Sequence, residues 1–282
     1  MSPSNKIAQV PSPPLIVPPL RDHKTTLIIL HGRGSTDEKF AEPLLKHIVS
    51  PLCTTTSSNT GSLQKTEPPK YFQDYFPDTR FVFPTAPLRR APELKQHLQS
   101  QGLRETSAFL HDLLKEEIKT IGAKNVVSMG LSQGCAASIV STLLWKGEPF
   151  GALVGMCGYL PFRKGMHDSV EEPEDEDDDA SVRSDEDAED MFEKAVGWLG
   201  EELGTCGSVS GEHDQPAMQS IPLFMGHGID DEKVPCRIGK LAAEFLTTLD
   251  VSVTWKEYEG SGHWYSDDML RDVVEFLENL EA

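Results

Sequence analysis

Cysteine is scarce in this chain, and what there is lacks the spacing of a framework. The five residues, Cys53, Cys135, Cys157, Cys206 and Cys236, include no CxxC pair. An odd, unpaired set argues against a disulfide scaffold and against a structural zinc site, and it favours a reducing, cytoplasmic setting. No stretch approaches the roughly 20 continuous apolar residues of a membrane-spanning helix, so no transmembrane segment is expected. The stretch Met1 to Leu20 is rich in proline and lacks the apolar block of roughly 7–15 residues that marks a secretory leader. Basic residues are also short: 26 Lys and Arg stand against 45 Asp and Glu, for a formal net charge of −19. A nucleic-acid surface needs clustered cations to displace counterions, so nucleic acid is not expected as a partner. What remains is ordinary for a globular chain of 282 residues, with 38% hydrophobic and 7% aromatic residues and no internal repeat.

The negative charge is concentrated. Between Asp168 and Asp190 stand 14 acidic residues and one basic residue, Arg183, a local charge of −13 that leaves −6 for the rest. Like charges repel, and nothing apolar offsets the cost of ordering them. The expected organisation is therefore an extended proline-rich segment over 1–20 and a single domain over 21–282. That domain carries a disordered acidic insert at about 167–190. Pro11 to Pro19 reads as a polyproline-like lead-in, and Thr54 to Pro69 as a surface loop.

Along the domain, short β-branched runs alternate with helical patterns, the signature of an α/β fold with a mostly parallel sheet covered on both faces. The strand candidates are Thr26–Leu30, Arg80–Phe83, Asn125–Met129, Ala152–Met156, Ile221–Met225 and Val251–Trp255. Leu103, Leu110, Leu113, Leu114, Ile118 and Ile121 recur with helical period. Ala136 to Trp145, Ile238 to Leu249 and Asp267 to Leu280 read as further helices.

Gly130-Leu131-Ser132-Gln133-Gly134 lies between a strand and a helix of small residues. At such a tight turn the serine takes strained backbone angles, so its neighbours two positions away must be nearly absent. The pattern reads as a nucleophile elbow of the α/β-hydrolase type; the bland alternative is a glycine turn whose serine caps the helix. In that fold the acid and the base follow the serine in the order Asp or Glu, then His. Beyond residue 231 there is one histidine, His263, on the glycine-rich loop Glu259-Gly260-Ser261-Gly262-His263-Trp264, so it is the base candidate. The acid should end the preceding strand, where Asp230 and Asp231 compete and spacing from the strand cannot choose. Leu30-His31-Gly32-Arg33-Gly34 follows the first buried strand, where such folds place a second oxyanion donor. The backbone N–H groups of Arg33 and Gln133 are assigned that role. A dinucleotide loop is disfavoured there, because His-Gly-Arg-Gly-Ser lacks the third glycine.

Together with Phe83-Pro84-Thr85-Ala86-Pro87, Gly158-Tyr159-Leu160-Pro161 and His227-Gly228-Ile229-Asp230-Asp231-Glu232-Lys233-Val234-Pro235, these motifs resemble the phospholipase/carboxylesterase family. That group includes acyl-protein thioesterases and lysophospholipases. The resemblance runs from about residue 15 to the C-terminus. It implies that the acid lies four residues after the HG histidine and four before the VP proline, and both counts land on Asp231. It also implies hydrolysis of acyl esters or thioesters without cofactor or metal, with lipidated proteins and lysophospholipids among the substrate classes. The chain departs from the family where a Trp-Phe-Asp-like segment normally follows the PxAP motif. Here Leu88 to Gln101 is short and polar, which implies a more open acyl groove. Two competing readings are a non-catalytic scaffold on the same fold that binds a lipid or protein, and a peptidase or lactone hydrolase.

Overall fold

A computed structural model of the chain describes residues 12–50, 68–85, 96–171, 185–205 and 217–280. In chain order its elements are β1 (Leu15–Val17), β2 (Thr25–Leu30), α1 (Asp37–Leu45), β3 (Ile48–Val49), β4 (Lys70–Tyr71), β5 (Thr79–Phe83), α2 (Gln96–Ile121), β6 (Val126–Leu131) and α3 (Gln133–Leu143). There follow β7 (Ala152–Met156), α4 (Arg163–Asp168), α5 (Asp185–Leu203), β8 (Leu223–Gly228), α6 (Cys236–Thr248), β9 (Val253–Tyr258) and α7 (Asp267–Leu280). Seven strands form one sheet in the order β1-β5-β2-β6-β7-β8-β9. All neighbours run parallel except β1, which pairs antiparallel with β5.

The apolar runs follow from burial on both faces. Every residue of β6, β7 and β8 is buried, which is why these strands read as continuous hydrophobic stretches without alternation. Alternation still sorts the side chains between two cores. Ile28 and Leu30 face a layer built from Leu110 and Leu114 of α2, Ile139 and Leu143 of α3, Phe192 of α5 and Phe245 of α6. Leu27 and Ile29 face the other layer, with Phe40 and Leu44 of α1 and Met269, Val273 and Leu277 of α7. Each core strand burying a few such side chains contributes about 1.5–3 kcal/mol per residue. Glu117 breaks the apolar face of α2, but it is buried with partners: Thr26 Oγ1 donates to it at 2.9 Å, and an Arg80 nitrogen lies at 3.4 Å.

The six predicted strands correspond to β2, β5, β6, β7, β8 and β9, with ends displaced by up to three residues. Asn125 and Ile221 lie before their strands, while β6 reaches Leu131 and β8 reaches Gly228, because pairing continues to Leu131↔Met156 and Gly228↔Tyr258. Parallel neighbours hold glycine-containing segments extended that local propensity would release.

Two expectations are corrected. The lead-in Pro11 to Pro19 is not simply polyproline: Leu15–Val17 adds to the sheet edge, with Leu15 opposite Phe83 and Val17 opposite Phe81. Pairing there covers β5, and the flanking prolines sit where an edge strand tolerates them. The acidic insert is not disordered at either end. α4 runs up to Asp168, His167 Nδ1 lies 3.3 Å from Glu171 Oε1, and α5 starts at Asp185. Phe192, Ala195, Leu199 and Leu203 anchor that helix in the core. Residues 172–184 lie outside the described residues, as do 1–11, 54–67 of the predicted loop and 88–95 of the polar stretch Leu88 to Gln101. Residues 96–101 of that stretch open α2. Among the described residues no helix is long and apolar enough to cross a membrane.

If α5 is part of the core, Phe192→Ala should leave a cavity costing about 3–5 kcal/mol and lower the thermal midpoint by about 10 °C. Glu193→Ala, on the exposed side of the same helix, should move it by less than about 2 °C. Calorimetry or a melt followed by circular dichroism checks both; equal small shifts would place α5 outside the cooperative unit.

Candidate active site

Ser132 joins β6 to α3 and has φ 56°, ψ −117°. A non-glycine residue in this region is strained by about 1–3 kcal/mol, and surrounding contacts must hold it there. Its N–H donates to Met156 O at 2.8 Å, and its carbonyl accepts the N–H of Ala136 at 3.0 Å. A Cβ on Gly130 would lie 2.4 Å from the Gly134 carbonyl carbon, and one on Gly134 would lie 2.4 Å from Leu30 O. The turn therefore closes only with hydrogen at both positions.

The loop after β2 reaches the same place. A Cβ on Gly32 would sit 3.4 Å from Ser132 Cβ, so Arg33 belongs to a turn packed directly beside the serine. Gln133 is the first residue of α3, where backbone N–H groups have no intrahelical acceptor. The two segments assigned as oxyanion donors thus flank Ser132.

The two aspartates part company. Asp231 is buried, and its Oδ1 accepts the N–H groups of Lys233 and Val234, both at 2.9 Å. Asp230 is exposed, and its backbone N–H donates to Ser261 O at 3.0 Å. That bond, with Ile229 N–H donating to Tyr258 O at 2.9 Å, ties the loop after β8 to the loop after β9. His263 stands on the second loop. Its Nδ1 is 2.7 Å from Asp231 Oδ2, and its Nε2 is 2.8 Å from Ser132 Oγ. Because the carboxylate only accepts, the proton belongs on Nδ1, and Nε2 is left to accept the serine hydroxyl. Burial alone would push the Asp231 carboxyl up, but the N–H of Val234 and the ring of His263 outweigh it and hold the group below the usual carboxylate range. An arrangement of this kind can take a proton from Oγ and stabilise the imidazolium that results.

Two thiols lie close by. Cys157, in the left-handed region at φ 47°, points its Sγ at Trp264 O at 3.4 Å, and Cys135 packs behind the elbow. Burial pushes both thiols up to about 12, so neither is a thiolate near neutral pH. Trp264 stands edge-on to Phe40 with ring centroids 5.9 Å apart. Among the described residues, the cluster that could hold a cation is His167, Asp168 and Glu171 on the α4 end, and it shares no residue with this site.

The sequence reading assigned no role to His227, although it quoted the residue within the HG motif. It is 0% exposed, with Nε2 at 2.9 Å from Val234 O and 3.2 Å from Asp231 Oδ2. The available signal was a histidine in a strand otherwise apolar or glycine, four residues ahead of the acid.

The sequence profile of the phospholipase/carboxylesterase family matches residues 12–173 and 207–281. The chain is 25% identical over 286 aligned positions to acyl-protein thioesterase 1 of Gibberella zeae, covering 94% of each chain. In three dimensions it is similar to esterase PE8, with a TM-score of 0.59 at 20% identity, over 96% of this chain and 100% of that one. It is also similar to acyl-protein thioesterase 2 of Zea mays, with a TM-score of 0.59 at 16% identity, over 95% and 99%. At these identities the structural likenesses speak for the fold, and the profile match over most of the chain speaks for the lineage. The chain belongs to the phospholipase/carboxylesterase family and is a serine hydrolase with the α/β-hydrolase fold.

Proposed function

We propose that this chain hydrolyses acyl esters or thioesters through an acyl-enzyme on Ser132. The observation that carries the reading is the unbroken line of short hydrogen bonds from Asp231 Oδ2 through the His263 ring to Ser132 Oγ, 2.7 and 2.8 Å long. Ser132 Oγ attacks the acyl carbonyl carbon as its proton passes to His263 Nε2. The carbonyl oxygen becomes an oxyanion beside the N–H groups of Arg33 and Gln133. His263 then returns the proton to the departing alkoxide or thiolate. Water, deprotonated by the same nitrogen, attacks the acyl-serine and releases the acid. Asp231 keeps the ring in the Nδ1–H tautomer and offsets its transient charge.

Relatives named acyl-protein thioesterase support acylated proteins as one substrate class. The buried free thiols of Cys135 and Cys157 fit a reducing, cytoplasmic setting.

Ser132→Ala should cut hydrolysis of a soluble p-nitrophenyl ester by at least about a thousandfold without altering the circular dichroism spectrum. Retention of more than about a tenth of the rate in a clean preparation overturns the nucleophile. Asp231→Asn should lower kcat by about 10⁴, because the amide favours the wrong tautomer of His263, whereas Asp230→Asn should stay within about threefold. A reversal of these two effects would reassign the acid.

Each buried CH₂ of an acyl chain is worth about 0.8 kcal/mol, so a covered groove favours long chains steeply. With Lys95, Gln96, His97, Gln99 and Gln101 in place of an aromatic segment, gains in kcat/KM should flatten beyond about eight carbons. A series of p-nitrophenyl esters from acetate to palmitate tests this, and a steady climb to palmitate contradicts it.

A further inference from the structure

His227 has no part in the proton transfers above, yet it touches the acid. It occupies the fifth position of β8, fully buried, and its ring lies 5.9 Å from Trp255 of β9. Its Nε2 faces two oxygens, Val234 O at 2.9 Å and Asp231 Oδ2 at 3.2 Å. A peptide carbonyl can only accept, so the proton sits on Nε2 and is donated to Val234 O, with Asp231 Oδ2 beside it at 3.2 Å. The opposite nitrogen, Nδ1, is buried without a partner among the described residues. It is wedged against α6, where a Cβ on Gly239 would stand 2.4 Å from it. Protonation of Nδ1 would aim an N–H at helix backbone with no acceptor, and burial accordingly pushes the ring toward its neutral form. His227 is a neutral donor with one usable N–H.

That N–H adds a positive edge to the donors around Asp231. Oδ1 takes Lys233 and Val234 and Oδ2 takes His263 at 2.7 Å, while His227 Nε2 stands 3.2 Å from Oδ2. We propose, resting on the triad reading above, that His227 is a positioning residue for Asp231: its N–H holds the Asp231–Val234 turn through Val234 O and packs against Oδ2 at 3.2 Å, so that Oδ2 stays aimed at His263 Nδ1. The nearby N–H also offsets a share of the carboxylate's charge. A less dispersed Asp231 would hold the His263 imidazolium more tightly and delay return of its proton to the leaving group. The other titratable groups near this pair are His263 on its loop, Cys157 after β7, Cys236 at the start of α6 and Glu257 of β9. The Glu257 carboxylate is engaged by Trp255 at 3.0 Å and by Lys240 at 3.2 Å, and the thiols are uncharged near neutral pH, so none of these stands in for the His227 N–H beside Asp231.

The test compares His227→Leu, His227→Gln and His227→Asn in the full chain, by kcat, KM and the pH profile of kcat/KM for a short p-nitrophenyl ester. A glutamine amide reaches the place of Nε2, whereas an asparagine amide reaches the place of Nδ1. His227→Leu should lower kcat about 10- to 100-fold, the usual effect of losing a hydrogen bond to a charged group, with KM within about twofold. Its acid limb should move up by about half a pH unit, since removing a donor from Asp231 favours protonated His263. His227→Gln should recover to within about fivefold of the parent and restore the acid limb, and His227→Asn should resemble His227→Leu. A folded His227→Leu with kcat within about twofold and an unmoved acid limb overturns the proposal, as does His227→Gln no better than His227→Asn. Should the leucine variant fail to fold, the Gln-to-Asn ratio decides. ¹⁵N NMR of the parent chain adds an independent arm: His227 should keep the Nε2–H tautomer from about pH 5.5 to 8, and titration in that range overturns the proposal. Activity that survives Ser132→Ala would defeat the triad reading itself, whereas Ser132-dependent activity indifferent to His227→Leu defeats this inference alone.

Discussion

A backbone-to-backbone contact underlies the site: Gly134, in the first turn of α3, lies against the carbonyls of Leu30 and His31 at the end of β2, with no room for a side chain. This contact lets α3 start immediately after β6. Ser132 is then left at the corner, in angles that an isolated chain would relax. The strain is carried by packing on every side. Ile139, Val140 and Leu143 of α3 are buried in one core, and the Ser132 N–H is bonded to the end of β7. Interiors packed at crystal-like density do not deform continuously, so the serine is presented in one orientation.

Parallel register does the rest. Strands β6, β7, β8 and β9 lie side by side, so the loops at their C-terminal ends meet along one edge of the sheet. Ser132 leaves β6, the Asp231 turn leaves β8, and the His263 loop leaves β9. The two later loops are bonded to each other by Asp230 N–H to Ser261 O and by Ile229 N–H to Tyr258 O. Asp231 is buried at the junction with its oxygens supplied by backbone and ring N–H groups. A buried carboxylate without such donors would be neutralised, and a neutral carboxyl could not offset an imidazolium.

The strong acidity of the chain is separable from this chemistry. Most of the charge falls in the segment from Asp168 to Asp190, while the site is held by buried groups with assigned partners. Beyond that segment the chain returns to the fold through α5, whose Phe192 and Leu199 enter the same core as α2 and α3. The expected insert ran to residue 190, whereas α5 begins at Asp185.

What the sequence determined by itself was the set of local requirements. Glycines at 130 and 134, apolar runs long enough to be strands, and the helices α3, α6 and α7 are consequences of near neighbours, and each was legible. Relations between distant segments were not. Residue patterns left Asp230 and Asp231 equal. The family spacing favoured Asp231, but burial of one and exposure of the other arises from how the loop after β8 is bonded to Ser261 and Tyr258. The same holds for Leu15–Val17 joining β5, for Glu117 buried against Thr26 and Arg80, and for His227 beneath the acid. The hydrogen bond from the Ser132 hydroxyl to His263 spans 131 positions of sequence, and its 2.8 Å depends on the register of four parallel strands. Steric rules act between residues a turn apart and can be read along the chain. Hydrogen bonds and burial across that distance exist only once the sheet has brought the strand ends together.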